Sequence, residues 1–83
     1  MQKTFSPSTP AMRDPRWPDI ERKLEKRFGR GTDNEKWALY AIGARLMNDP
    51  VRVGNGLAML KGTARRDAII IGADFGIHLE SAA

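Results

Sequence analysis

Apolar residues near the start of the chain recur at the spacing of one helix face. The first such set follows i, i+3, i+7 and i+11 and consists of Trp17, Ile20, Leu24 and Phe28. Residues at this spacing project from the same side of a helix, where they can pack against a core. A proline in the first turn and two glycines after the last apolar position mark the helix ends. The pattern predicts a helix over residues 17–28.

A strong start signal opens the second helix. Thr32 and Glu35 form a capping box, in which each side chain accepts a hydrogen bond from an otherwise unpaired backbone N–H. The apolar face that follows includes Trp37, which we expect in the core or at its edge. Because the residue before a proline avoids helical geometry, the helix should end before Pro50. The sequence predicts a helix over residues 33–48.

A third helical segment follows directly. Asp49 can cap it, and the proline that comes next suits a first helical position. Val53, Leu57 and Leu60 then recur at helical spacing. Two glycines weaken the start of the segment, so the ordered helix is predicted over residues 55–61.

The last segment, residues 64–79, allows two interpretations. Its run of three isoleucines, residues 69–71, is β-branched and could form a buried strand. A helix is preferred, because Ile70, Ala73 and Ile77 would then share one face. The choice between helix and strand stays open at residues 68–79.

Two glycines, Gly72 and Gly76, would lie one turn apart on this last helix. Side chains are absent there, so another backbone could approach the helix closely. The strip predicts either close packing within the chain or a homodimer through the Gly72/Gly76 face.

The N-terminal residues differ in composition from the rest. Residues 1–15 contain three prolines and almost no periodic apolar content. Such a segment cannot bury enough apolar surface to offset the entropy of ordering it. We therefore predict a flexible N-terminal arm over residues 1–15 and a single helical domain over residues 16–83. The expected fold is all-α, a small bundle of three to four helices with a helix-turn-helix-like unit.

Charge adds a functional expectation. The chain has 14 Lys and Arg against 10 Asp and Glu, a net charge of +4, with a pI near 10.0. At 100° per residue, the basic residues of the first helix fall within an arc of about 140°. They are Arg22, Lys23, Lys26, Arg27 and Arg30. Such a stripe is typical of surfaces that bind nucleic acid or an acidic protein, although an ordinary solvated face has the same pattern.

Catalytic and metal-binding chemistry has few candidates. His78 is the only histidine and the chain has no cysteine, so it offers no thiolate or paired-histidine metal set. The three serines lie near the chain ends, where a nucleophile would not be held in place. We expect no enzymatic activity and no cofactor. No apolar run approaches the roughly 20 residues of a membrane span, and the expected location is the cytoplasm.

The stretch around Gly62 has the spacing of a helix-turn-helix unit. Ala58 and Gly62 lie four residues apart, like the small residue and the turn glycine of such units. The second helix would begin directly after the glycine and present Arg65 and Arg66 at its exposed N-terminal end. That end of a recognition helix meets base edges and phosphates, and arginine binds guanine well. Two features weigh against such a unit: Lys61 stands at a normally apolar position, and the helix is strongly apolar after Asp67. If the unit forms, Lys61 adds a third cation.

The same stretch resembles a helical domain of unknown function found in transfer regulators of integrative and conjugative elements. The resemblance rests on residues 53–62, Val-Gly-Asn-Gly-Leu-Ala-Met-Leu-Lys-Gly, followed by Arg65 and Arg66. The chain also resembles an earlier part of that domain at Leu39, Ala41, Arg45 and Leu46. Together the two resemblances cover about a third of the chain. The domain has a longer stretch between these parts, and an aromatic residue where Ala64 stands. The resemblance implies a regulator of conjugative transfer, either an activator fragment or an antiactivator that binds the activator.

Two functions fit these observations. The first is a DNA-binding transcriptional regulator of a mobile genetic element, in which Arg65 and Arg66 contact bases or phosphates and the first-helix cations clamp the backbone. The second is an antiactivator whose basic faces cover an acidic regulatory protein. From the sequence, DNA is the preferred partner. The dependence of affinity on salt concentration distinguishes the two functions. For binding to DNA phosphates, log K falls with log salt at a slope of about −0.9 per phosphate contact.

Overall fold

The computed structural model describes residues 10–80, which form five α-helices. The helices are α1 (Pro10–Arg13), α2 (Trp17–Phe28), α3 (Asp33–Leu46), α4 (Pro50–Met59) and α5 (Thr63–Asp74). No strand occurs within the described range. The predicted all-α fold is confirmed, and the isoleucine run at residues 69–71 is helical.

α3 is the central helix, because it contacts each of the other four. Its buried residues cover more than one side of the helix and are Ala38, Ala41, Ile42, Gly43 and Ala44. Small side chains allow neighbouring backbones to come close. At Gly56 of α4, an added Cβ would lie 2.9 Å from the Cβ of Ala41 and 3.1 Å from its Cα. The packing of α4 on α3 therefore requires a glycine at residue 56.

The face predicted for the first helix is buried. Trp17, Ile20 and Leu24 are 3%, 0% and 0% exposed. Trp37 of α3 is half-buried and packs against the edge of the core. Its ring meets that of Tyr40 edge-on, with 5.3 Å between the centroids. Of the two positions that the sequence allowed, core or core edge, Trp37 therefore occupies the edge.

The capping box predicted at the start of α3 forms with one displacement. Thr32 Oγ1 accepts a hydrogen bond from the Glu35 backbone N–H at 3.2 Å. The Glu35 carboxylate accepts one from the Gly31 N–H at 2.7 Å, one residue before the usual partner. The Thr32 N–H donates instead to the carbonyl oxygen of Gly29 at 3.3 Å. These bonds fix the turn between α2 and α3.

α3 and α4 join at a tight corner around Asn48. This residue has a φ of +58°. The N–H groups of Asn48 and Asp49 donate to the carbonyl oxygens of Arg45 and Ala44 at 3.0 and 2.9 Å. A left-handed residue with these two bonds is the Schellman end of a helix. Asp49 also caps the next helix as predicted, since its carboxylate accepts from the Arg52 N–H at 3.2 Å.

α4 starts at Pro50, whereas the sequence predicted a start near Asn55. The prediction was wrong because it judged the two glycines by intrinsic helix propensity alone. Tertiary packing overrides that propensity, since Gly56 fits directly against α3. The residues predicted to face inward are buried: Val53 and Leu57 on the helix, and Leu60 at its C-cap.

The predicted boundary between arm and domain is wrong. α1 falls inside the predicted arm, and its Ala11 is fully buried. Arg16 holds this segment in place, because its guanidinium donates to both oxygens of the Asp14 carboxylate at 2.9 and 2.8 Å. It also donates to the carbonyl oxygen of Phe75 at 2.7 Å. Composition does not reveal these tertiary contacts, which make residues 10–15 part of the folded domain. Residues 1–9 of the predicted arm lie outside the described residues.

The C-terminal end of α5 comes earlier than predicted, because the chain turns back at Gly76, with φ of +77°. The N–H groups of Gly76 and Ile77 donate to the carbonyl oxygens of Ala73 and Gly72 at 2.9 and 2.8 Å, a second Schellman end. Ile77 is buried by this turn, whereas Ile70 is 50% exposed. The helix face predicted to include both isoleucines is therefore wrong.

Gly72 and Gly76 do not form the predicted helical strip. Gly76 lies in the turn, and the C-terminal segment of the same chain covers Gly72. A Cβ added at Gly72 would lie 2.8 Å from the carbonyl oxygen of Ile77 and 3.5 Å from the Leu79 side chain. The close packing is within the chain, so the homodimer predicted through this face has no exposed strip on which to form.

Candidate partner-binding surface

Three cations surround the start of α5. Lys61 lies in the turn before it, and Arg65 and Arg66 lie in its first turn; all three are exposed. That first turn has no acidic residue, and Gly62 at the N-cap supplies no capping side chain. Within residues 10–80, none of the three cations forms an ion pair. Because the N-terminus of a helix is its positive end, this arrangement is unfavourable until an anion binds.

The helix-turn-helix geometry predicted around Gly62 is met in part. Gly62 has a φ of +58°, and α5 begins at the next residue, as the spacing predicts. Ala58, however, is exposed, whereas a helix-turn-helix unit packs its small residue against the second helix. α4 packs mainly on α3, through Gly56. The turn is therefore present without the packing role expected of Ala58, and DNA binding by this unit stays a prediction.

The basic stripe predicted on α2 is partly neutralised. Arg27 donates to one carboxylate oxygen of Asp67 at 2.6 and 2.9 Å. Two other arginines pair within or just beyond their own helix, in the pairs Arg22–Asp19 and Arg30–Glu25. Lys23 and Lys26 are exposed and have no ion pair within the described residues. Exposed pairs of this kind contribute only about 0–1 kcal/mol, so their arginines can exchange partners.

The pair between Arg27 and Asp67 places the cations of α2 beside those of α5. Asp67 directly follows Arg66, and Lys23 lies one turn before Arg27 on the same flank of α2. The structure thus brings residues from two separate parts of the sequence onto adjoining elements. Sequence reasoning found the cations but not this pair.

A shallow trough, which the sequence did not predict, runs along α5. Its first part is lined by Gly62, Arg65, Arg66, Ile69, Ile70 and Glu80. Its second part shares Ile69 and Glu80 and adds Ala73, His78 and Leu79. We call these two parts together the α5 trough. One signal was available in the sequence: three consecutive isoleucines span about 200° of a helix, so they cannot all face the core.

Among residues 10–80, His78 forms no hydrogen bond or ion pair through its side chain. Its side chain is exposed, and its carbonyl oxygen accepts a hydrogen bond from Arg45 Nε at 3.1 Å. Within residues 10–80, no cluster of three or more acidic residues and histidine could hold a metal ion. In the same range, every helix is too short or too polar to cross a membrane.

Comparison with known proteins adds no relative: no family model, no curated protein and no solved structure matches the chain. The resemblance to the domain of transfer regulators therefore stays a prediction.

Proposed function

We propose that this protein is a small, non-enzymatic regulator that acts by binding another regulatory protein through the α5 trough. The observation that carries the proposal is the 50% exposure of Ile70 beside two arginines that have no acidic partner in the described residues. Arginine and large apolar side chains are enriched in protein interfaces, where a few such residues supply most of the binding free energy. The resemblance implies that the partner is an activator of conjugative transfer.

The composition of α5 favours a protein partner over DNA. After the first turn, the residues of α5 that line the trough are Ile69, Ile70 and Ala73, none of which can donate or accept a side-chain hydrogen bond. Bases in the major groove are distinguished mainly through such donors and acceptors. Glu80 also lines the trough, and its carboxylate would face a DNA backbone unfavourably.

DNA binding is the second candidate, and the start of α5 supports it. Lys61, Arg65 and Arg66 extend the positive end of the helix, and phosphates bind well at such ends. Lys23 and Lys26 on the adjoining helix could contact the same backbone. On this proposal the two arginines bind base edges or phosphates, and the lysines add sequence-independent attraction.

The decisive experiment compares the parent protein with two matched variants, Ile70→Glu and Val51→Glu. Both replace an exposed aliphatic residue by the same charge, but Val51 lies on α4, lines neither part of the trough and is 70% exposed. The tagged proteins are recovered from the cells that naturally express them, after chemical crosslinking. A polypeptide partner should accompany the parent and the Val51→Glu variant in stoichiometric amount and be lost from Ile70→Glu.

A DNA titration completes the test. If the parent binds random and genomic fragments no more tightly than about 10⁻⁴ M at physiological salt, its affinity is at or below ordinary non-specific binding. The protein-binding proposal then stands. Tight, salt-dependent DNA binding without an accompanying polypeptide would replace it with the second candidate.

A further inference from the structure

We infer that the segment recognised by the α5 trough is an acidic amphipathic α-helix, with its carboxylates at the end formed by Arg65 and Arg66. This inference rests on the proposed function and specifies the chemistry of the partner at that same surface. The trough combines an apolar floor with a charged end, and each feature restricts what can bind there.

The dimensions of the trough fit a short helix. It follows α5 from Gly62 to Ala73, a length of about 16 Å at 1.5 Å per residue. Three turns of a second helix cover that distance. The apolar floor is formed by Ile69, Ile70 and Ala73, with Leu79 at the far end. A helix that binds such a floor presents apolar anchors at i, i+3 or i+4, and i+7.

Charge sets the composition and the direction of the partner. The two arginines lie at one end of the trough, with Lys61 in the turn before them, and none has an ion pair in the described chain. Among the described residues, no Lys or Arg lines the part of the trough towards the other end, and Glu80 lines both parts. Carboxylates on the partner are therefore favoured at the arginine end and disfavoured at the other.

Other modes of peptide recognition do not suit this surface. An extended peptide that adds to a sheet needs an exposed strand edge, and residues 10–80 contain no strand. Proline-rich segments bind between aromatic side chains, and among the described residues no Trp, Tyr or Phe lines the trough. A second copy of this chain is also disfavoured, because each copy carries a net charge of +4.

The test is a selection of 16-residue random peptides displayed on phage against the full chain. Enriched peptides are synthesised, labelled and titrated by fluorescence anisotropy. We expect at least two Asp or Glu near one end, apolar residues at spacings of three and four, and a gain of helical circular dichroism on binding. We expect the affinity to fall at least tenfold with Ile70→Glu and with the double variant Arg65→Glu/Arg66→Glu, and to be unchanged with Val51→Glu.

The outcomes distinguish this inference from the proposed function. Peptides that need Ile70 but lack acidic residues, or bind without becoming helical, would overturn the inference and leave a protein-binding trough. Peptides insensitive to both trough variants, or no enrichment at all, would also overturn it. Whether a native polypeptide depends on Ile70 is decided separately by the crosslinking experiment. All four substituted residues are exposed, so we expect every variant to fold like the parent. Thermal unfolding of each variant checks that a loss of affinity does not come from misfolding.

Discussion

At the scale of single residues, the two glycines of α4 differ in the space available for a side chain. A Cβ at Gly56 would meet the Ala41 backbone nitrogen and Cα at 3.1 Å, whereas nothing lies within 4 Å of the corresponding position at Gly54. We expect Gly56→Ala to destabilise the protein by about 1–3 kcal/mol through overpacking. Gly54→Ala should stabilise it by about 0.5–1 kcal/mol through helix propensity. Urea unfolding followed by circular dichroism measures both, and changes of the same sign would contradict the packing of α4 on α3.

The ion pair of Asp14 and Arg16 gives a pH-dependent prediction. Hydrogen bonds from the Arg16 guanidinium, and then from its backbone N–H, lower the pKa of Asp14 from 3.8 to about 2. The folded pKa is below the unfolded one, so the pair stabilises the fold above about pH 4, and this contribution is lost as the pH falls towards 2. Asp14→Asn should therefore melt at a lower temperature than the parent at pH 6. The difference should shrink as the pH falls below 4 and vanish only well below pH 2, where Asp14 is protonated in the folded state as well; a constant difference would contradict this origin.

At the scale of elements, the two tryptophans lie in different positions, one on a buried helix face and the other at the edge of the core. Trp17 of α2 is 3% exposed, while Trp37 of α3 is half-buried. Trp17→Ala should cost roughly 3–5 kcal/mol, which approaches the whole stability of a domain this small. Trp37→Ala should cost clearly less. Denaturant midpoints of the two variants test the order, and a larger loss at Trp37 would show that α3 contributes more to the core than its burial indicates.

Local chemistry predicted the elements whose ends depend on neighbouring residues. The start of α3 at its capping box, the Asp49 cap and the turn at Gly62 all involve bonds within a few residues. Two of the failures, at α1 and at the start of α4, involve residues far apart in sequence. α1 is held by contacts with the rest of the chain, such as that between Arg16 and Phe75. Composition alone cannot reveal such contacts. A single helical turn like α1 has little stability of its own, so it forms only where such contacts hold it.

The candidate site likewise has one part that the sequence predicted and another that it did not. The sequence identified the arginines at the start of α5, because their position follows from the turn before them. It did not identify the trough, because that depends on where Leu79 and Glu80 come to lie after the chain turns back at Gly76. Nor did it predict that Arg27 pairs with Asp67, a contact across 40 residues. Surfaces built from distant segments need the tertiary structure.

At the scale of the whole molecule, charge opposes stability at the proposed binding surface. A helix N-terminus favours acidic residues, with each charge contributing about 0.3–1 kcal/mol at low salt, yet the first turn of α5 carries two arginines and no acid. Residues that weaken the fold at one place, without an internal partner, are typical of functional sites. The arrangement is consistent with a surface whose counter-charges are supplied by a partner.

This opposition leads to a prediction in which stability and binding change in opposite directions. The double variant Arg65→Glu/Arg66→Glu removes two unfavourable charges from the positive end of α5 and adds two favourable ones, which should stabilise the free protein by roughly 1–2 kcal/mol at low salt. It should bind neither a protein partner nor DNA. Lys23→Glu/Lys26→Glu changes the net charge by the same amount but lies on α2, where Lys26 is in the last turn and favours the helix. Thermal unfolding of the control should therefore show no gain, and an equal gain in both variants would mean that the relief of overall positive charge, rather than the end of α5, is responsible.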